Sequence, residues 1–568
     1  MIQIKIDYMM KTKYLIGALL VALLAISCED FLEEEPPNFV STDVFWVSAE
    51  NARIGTDAMY EPLSDGSSNA VFGRGWPAVD VGTDDVMSRV NRNNFADWFS
   101  HTINAGHPWL EAWQTYDNHW TGIARANDVL EFVPRIAMDE TEKNALLGEA
   151  YAFRAFCYFN LVRAWGDLPK VVNSIDDASD FNLPRSSADE IYTEIIIPGL
   201  QFAEENCVDE LHNGRMTKWS AKLILADVYL TYAGTRRTSQ GEFVQGDASY
   251  YALARDKAKE IIDGSPHALI TEDFVDGEHI TPACGVPWLE AQPYSVESIL
   301  EFGSTNVSEF GSWLSRECSP FFHGRQYWGP AGGMPLVSEG NSGRVNNELR
   351  FPGRPPATGF YIPTPDLYAH FEDGDERRDW GIMTRYDTPD GNTYLCQPTF
   401  RKYVDIDFFL GAENTSFLNT NNNFIVYRYA DALLIFAEAQ NEADGSPNTE
   451  AILAVNEIRN RAGLSDLASG LSQNEFRDAV LRERRSEFHG EIKRKFDLMR
   501  TNRLLSETSD IKVEWTAEEG SLQDYTNKHV FFTGNEVWPD REWLYPIPQT
   551  QMNLNVNNNW VQNEGYGL

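Results

Sequence analysis

Basic residues are scarce in this chain. Only 47 Lys and Arg stand against 85 Asp and Glu over 568 residues, a formal charge of −38. Affinity for nucleic acid and for anionic membrane surfaces comes from clustered Lys and Arg, so the balance argues against both. Cysteine is also rare, at six, with no CxxC pair, and the ten histidines do not cluster at metal-ligand spacing. HExxH, GxSxG, GxxxxGK[ST] and GxGxxG are all missing, and no EF-hand spacing occurs, so the sequence calls for no metal and no cofactor. A glycosidase carboxylate pair meets only in space, so spacing does not test for one. Asp84 with Asp85 and Asp375 with Glu376 are the adjacent acids on offer, and each also reads as a solvated or calcium-touching acidic loop. What the chain does have is aromatic rings: 16 Trp, 23 Tyr and 32 Phe. An apolar fraction of 42% is that of a folded protein, and the length suits one large domain or two to four smaller ones. Rings in that number either fill a core or are displayed for binding.

The start of the chain reads as an address. Lys11 and Lys13 precede an apolar run over 14–26, then Ser27 and Cys28. The run is shorter than the ~20 residues of a membrane span and has the order of a secretory signal. Cys28 stands where a bacterial lipoprotein signal places its lipidated cysteine, although Ala25 replaces the usual larger aliphatic residue; the alternative is an ordinary secretory signal with an incidental Cys. Met9 or Met10 would serve as well as Met1 for a start. Removing 1–27 takes away three Lys and one Asp, leaving −40 over 541 residues. Residues 28–40, with Glu29, Asp30, Glu33, Glu34, Glu35, Pro36 and Pro37, read as a stiff acidic tether. Cys157 falls on an apolar helical face, as core packing. Cys284 and Cys318 flank a loop-rich stretch in an oxidising compartment, which allows a disulfide between them.

Periodicity predicts a mostly α scaffold. Leu146, Ala150, Phe153, Cys157, Leu161 and Ala164 recur in steps of three and four. Asp139 and Glu142 have capping-box spacing before them, and Gly166 and Pro169 stop the helix. Further helices are expected over 187–206, 217–233, 249–263, 428–443, 448–462, 473–489 and 491–505. They come in pairs, with small residues such as Ala221, Ala226, Ala254, Ala258, Ala432, Ala437, Ala451 and Ala454 on their faces. This is the pattern of tetratricopeptide-like repeats without a strict period. Residues 265–427 differ: they are rich in Gly, Pro, Ser and Asn, and too long for a plain loop. Behind the tether the layout is thus one domain over 41–568. Its helical scaffold covers about 110–265 and 427–505, an irregular ligand-binding excursion covers 265–427, and a C-terminal strap covers 540–568.

Seven segments, in order, carry a family resemblance. They are Cys28 with FLEEEPP (31–37), GEAYAFRAFCYFNLVRAWGDLPKV (148–171), GRMTKWSAKLILADVYL (214–230), YIPTPDLYAHFEDGDERRD (361–379), YRYADALLIFAEAQNEA with NEIRNRAGL (427–443 and 456–464), RERRSEFHGEIKRKFDLMR (482–500) and YPIPQTQMNLNVNNNWVQNEGY (545–566). Together they resemble the SusD/RagB family of surface lipoproteins. Each also has a physical reading. AWGDLP is a helix stop that orients the next segment. Arg482, Glu483, Arg484, Arg485 and Glu487 form ion pairs between helices. Pro546 and Pro548 hold an extended strap. The motifs therefore specify scaffold and say nothing about ligand. The resemblance implies a lipoprotein on the outer face of the outer membrane, sitting as a hinged lid on a SusC-like TonB-dependent barrel. It implies capture of oligosaccharide without cleavage; in the RagB-like branch the cargo is peptide.

Sugars present C–H faces ringed by hydroxyls, so Trp and Tyr are natural platforms and Asp, Asn, Gln and Arg natural partners. Trp165 and Trp219 fall in scaffold helices, Trp109, Trp113 and Trp120 in a helical approach, and Trp543 and Trp560 in the strap. Trp76, Trp98, Trp288, Trp313, Trp328 and Trp380 fall in loops. Trp98, Trp288, Trp313, Tyr327 and Trp328, with Arg325 and Gln326, are the expected ligand residues. The charge favours a neutral glycan, unless Arg316, Arg325, Arg344 and Arg350 form a local basic pocket.

Overall fold

The computed structural model describes residues 42–64, 71–72, 76–88, 97–98, 101–107, 110, 115–174, 183–211, 214–277, 279–305, 312, 314–318, 359–387, 393–404, 421–511 and 539–567. Its frame is a stack of helices: α1 (Thr115–Phe132), α2 (Glu140–Trp165), α3 (Ile197–Asn206), α4 (Lys218–Ala233), α5 (Ser249–Gly264), α6 (Tyr429–Asp444), α7 (Thr449–Arg461), α8 (Gln473–Glu487) and the short α9 (Arg494–Arg500). Each of α1 to α6 packs on the next, and α6 packs on both α7 and α8. The long excursion departs after α5 and returns before α6, yet α5 and α6 lie directly against each other. The stack is therefore continuous in space across a gap of more than 160 residues in sequence.

Helix α2 is its centre. Residues 152–162 are all buried, on every face of the helix, as in a helix enclosed by neighbours on all sides. Asp139 caps it by accepting from the Thr141 and Glu142 amides, both at 3.0 Å. The expected reciprocal bond from Glu142 is replaced by an ion pair to Arg53. The alanines expected at close helix contacts are buried on α4, α5, α6 and α7. The helix expected over 187–206 is broken: Ala188–Ile191, a π turn over Tyr192–Ile196, then α3. Pro198 has no N–H to donate, and Ile197 reaches back five residues to the Tyr192 carbonyl.

The strands form two-stranded antiparallel pairs. Those that frame the excursion are β1 (Val86–Ser88), β2 (Ser298–Phe302), β3 (Tyr361–Pro363), β4 (Ile382–Asp387), β5 (Thr393–Phe400) and β6 (Phe424–Arg428). β1 pairs with β3, β2 with β6 and β4 with β5, all antiparallel. The β2–β6 pair closes the base of the excursion, with Phe302 opposite Phe424 and Ser298 opposite Arg428.

The C-terminal strap docks where α2 stops. Gly166 has φ of +74°, and a Cβ there would lie 2.8 Å from Leu544 Cδ1, so glycine is required on both counts. The Tyr545 amide donates to Ala164 O at 2.7 Å and Trp165 Nε1 to Pro546 O at 3.2 Å. Asn563 Nδ2 donates to both Trp165 O and Tyr545 O. Arg185 then crosslinks Asp167 O, Val561 O and Asn563 Oδ1 at 2.7–2.8 Å.

Candidate functional site

Four of the six loop tryptophans are within the described residues, and all four are buried. Trp98 and Trp288 are 6% and 7% exposed, so neither offers a face to a ligand, contrary to expectation. The strap is the reason for Trp98: Tyr545 packs edge-on against it at 4.7 Å, and His107 at 6.4 Å. Trp288 ends a 3₁₀ turn, Ala283–Trp288, and is packed edge-on by Tyr403 at 5.7 Å with Lys402 Nζ 5.1 Å from its ring. Trp76 stacks on Phe496, and Trp380 lies beneath Arg401. Trp313, Arg325, Gln326, Tyr327 and Trp328 lie outside the described residues, as do Cys28, the tether and the Arg344 and Arg350 of the suggested basic pocket.

The described residues flanking 306–311, 319–358 and 405–420 meet at one place. The Ser304 amide donates to Asn423 Oδ1 at 2.9 Å. Ser315 Oγ lies 2.6 Å from both Tyr403 O and Asn422 Oδ1. The Phe360 amide donates to Glu317 O at 2.7 Å. Tyr403 is the hub: its ring stacks on Phe424 with an interplanar angle of 3°, and its hydroxyl donates to Gly490 O at 3.0 Å. Ser315, in the short helix Leu314–Cys318, and the loop residues Asn422 and Asn423 carry no periodic or motif signal in the sequence.

Beneath this root lies a seam of buried ion pairs. Arg428, at the start of α6, donates to Glu297 Oε1 at 2.8 Å, Glu487 Oε1 at 2.5 Å and both oxygens of Glu491 at 2.7 and 3.0 Å. Arg461 of α7 shares Glu297 and Glu487. Arg377 joins Asp375, Glu483 and Glu487, and Lys402 joins Glu491 at 2.6 Å. Burial alone would raise Glu487, but Arg461, Arg428 and Arg377 outweigh it and hold its pKa well below the ordinary range. Burial likewise opposes Glu491, which Arg428 and Lys402 bring down to about 2. Burial pulls Lys402 down to about 8 despite Glu491. In the arginine-rich motif at 482–500, Arg484 pairs with Asp497, Arg485 with Asp84 and Asp85, and Glu483 with Arg377 and Arg459, whereas Arg482, expected to pair as well, is exposed and has no ion pair among the described residues.

These pairings remove the candidate catalytic acids. Asp84 and Asp85 are 1% and 2% exposed, and their oxygens face Arg485 and Arg494. Asp375 is held by Arg377 and caps the helix Glu376–Gly381. Cys157, Cys207, Cys284 and Cys318 are buried free thiols. The disulfide allowed by the sequence does not form: Cys284 faces the Arg461–Glu487 seam, while Cys318 lies near Glu317 and Tyr403. Burial pushes the Cys284 thiol up to about 12. Among the described residues no cluster of His, Cys, Asp and Glu could hold a metal ion.

Two family models match the chain: the SusD family over residues 344–566, and "starch-binding associating with outer membrane" over 30–230. A SusD-like protein of Formosa agariphila is 24% identical over 540 residues, covering 91% of this chain and 95% of the relative. A SusD superfamily protein of Parabacteroides distasonis superposes with a TM-score of 0.70 at 25% identity, over 93% of this chain and all of that one. Surface glycan-binding protein A of Bacteroides thetaiotaomicron, solved in complex with laminarihexaose, superposes with a TM-score of 0.66 at 19% identity, over 91% of this chain and all of that one. Motif order, helical stack, strap and both family models agree: the chain belongs to the SusD/RagB family of outer-membrane nutrient-binding proteins, whose members bind their cargo and do not cleave it.

Proposed function

We propose that this protein captures a neutral oligosaccharide or polysaccharide at the cell surface and passes it uncleaved to a SusC-like TonB-dependent barrel. The observation that carries this reading is the fold shared over the full length of a protein solved with laminarihexaose. The paired acids at Asp84–Asp85 and Asp375 are engaged by arginine, which supports capture without hydrolysis. Trp313, Arg325, Gln326, Tyr327 and Trp328 are the contact residues we propose. Arg325, Gln326, Tyr327 and Trp328 belong to the 319–358 stretch and Trp313 falls between Ser312 and Leu314, next to the Tyr403 root, and flat rings carried there would stack on sugar faces with little entropy lost. Retardation in a native gel containing laminarin or another neutral glucan tests the reading. Ala at Trp313, Tyr327 and Trp328 together should lower affinity at least tenfold, about 1.4 kcal/mol, with helix content unchanged. Retention of peptides in place of any glycan would support the RagB-like alternative, and release of shortened glycan would contradict capture without cleavage.

The layout of 1–27 as signal, 28–40 as tether and 41–568 as one domain is part of the proposal, with Cys28 as the acylated residue. Cys28→Ser should move the protein from the membrane fraction to the soluble one. Membrane retention of that variant would contradict the anchor.

A further inference from the structure

A groove of about 670 Å³ lies where α1, α2 and the chain after Lys170 meet, away from the Tyr403 root in sequence and in its lining residues. Arg154 of α2 forms part of its wall and is only 8% exposed. One edge of its guanidinium is fixed: Nη1 donates to Asn127 Oδ1 at 2.8 Å and to Val172 O at 3.2 Å. Its plane lies over the Tyr151 ring, 5.2 Å from the centroid. Asn127 is itself fixed, its Nδ2 donating to Val171 O and Asn173 O. Among the described residues, Nε and Nη2 of Arg154 have no hydrogen-bond partner and the side chain forms no ion pair.

That is unlike the buried arginines of the seam. Arg377, Arg428, Arg461, Arg484, Arg485, Arg494 and Arg500 each hold at least one carboxylate. The other cations of the groove are also matched, Arg135 by Glu131 and Lys170 by Glu190 and Glu194. Burial lowers the pKa of Arg154; Tyr158 and Tyr151 offset this only in part, and no carboxylate does. In a chain with 85 acids, a pre-ordered, desolvated guanidinium with one open edge is a receptor for a planar oxyanion. The groove is within the range for a ligand of one or two sugar units, and Lys170, Asn173 and Ser174 line it with polar groups.

We propose that this groove binds the carboxylate of a sugar acid, a uronate unit, with the open edge of Arg154 as its fork. The site is separate from the neutral-glycan surface proposed above and does not depend on it. Calorimetric titration of the full chain in detergent should show binding of glucuronate. Its methyl ester, glucose and acetate should each bind at least tenfold more weakly. Arg154→Gln should reduce glucuronate to the level of the ester, and Arg154→Lys should recover little, because an ammonium lacks the fork. Retardation by neutral glucan should be the same for wild type and Arg154→Gln. Equal binding of acid and ester, acetate equal to glucuronate, or wild-type affinity in Arg154→Gln would each overturn the proposal. The acid–ester comparison on wild type decides the question even if the variant unfolds.

Discussion

The helical stack and the seam beside it are held by different forces. In α2, eleven consecutive residues are buried and the contacts are mostly apolar: Phe153, Phe156, Tyr158 and Phe159 with alanines between them. At the seam, α6, α7, α8 and the excursion meet through Arg428, Arg461, Arg377 and Lys402 against Glu297, Glu487 and Glu491. Apolar packing tolerates substitution of similar volume, whereas a buried charge tolerates no loss of its partner. The difference explains why the family's charged motif sits in α8 and α9 and why it says nothing of cargo. Those residues hold the excursion to the stack, and the ligand surface is left free to vary.

The seam is tested most directly at Arg428. Arg428→Met leaves Glu297, Glu487 and Glu491 with fewer partners and should cost about 3–5 kcal/mol, read from urea unfolding; a loss below 1 kcal/mol would show the seam to be dispensable. Trp288→Ala should cost a similar 3–5 kcal/mol through the cavity it leaves while glycan retardation per folded molecule stays within twofold. A smaller, graded effect is expected from acid. Burial lowers His119 from 6.5 to about 4. Its contribution is complete above pH 6.5 and is lost as pH falls toward 4, because the unfolded chain binds the proton first. Glu491, held near 2, adds a second loss between about 4.5 and 2. His370 and His489, also lowered by burial, add to the first loss, whereas Asp80 and Asp85, which burial raises to about 7 and about 6, oppose it. In urea unfolding at a series of pH values, His119→Gln should therefore reduce the loss between pH 6.5 and 4 and leave the change between 4.5 and 2 unaltered.

Much of the scaffold was legible in the sequence because it rests on period and punctuation. The helix expected between Asp139 and Gly166 is Glu140–Trp165, and that expected over 217–233 is Lys218–Ala233. The π turn before α3 was not, since Pro198 could have broken the helix outright. The tryptophans show the limit more clearly. Loop position suggested exposure for Trp98 and Trp288, but what covers them is remote in sequence: Tyr545 for the first, Tyr403 and Lys402 for the second. Local composition carries no information about contacts hundreds of residues away. Arg154 was hidden for the opposite reason: it sits in the middle of the most apolar helix, where only its missing acid partner marks it out.

If the loop rings hold ligand and Trp288 holds the core, one paired measurement separates the two roles. The triple variant Trp313→Ala, Tyr327→Ala, Trp328→Ala and the single variant Trp288→Ala would be compared by affinity electrophoresis in neutral glucan and by urea unfolding. The triple variant should lose retardation and keep its stability, and Trp288→Ala should lose stability and keep its retardation. Wild-type retardation in the triple variant, or lost retardation in a fully folded Trp288→Ala, would contradict this division of roles.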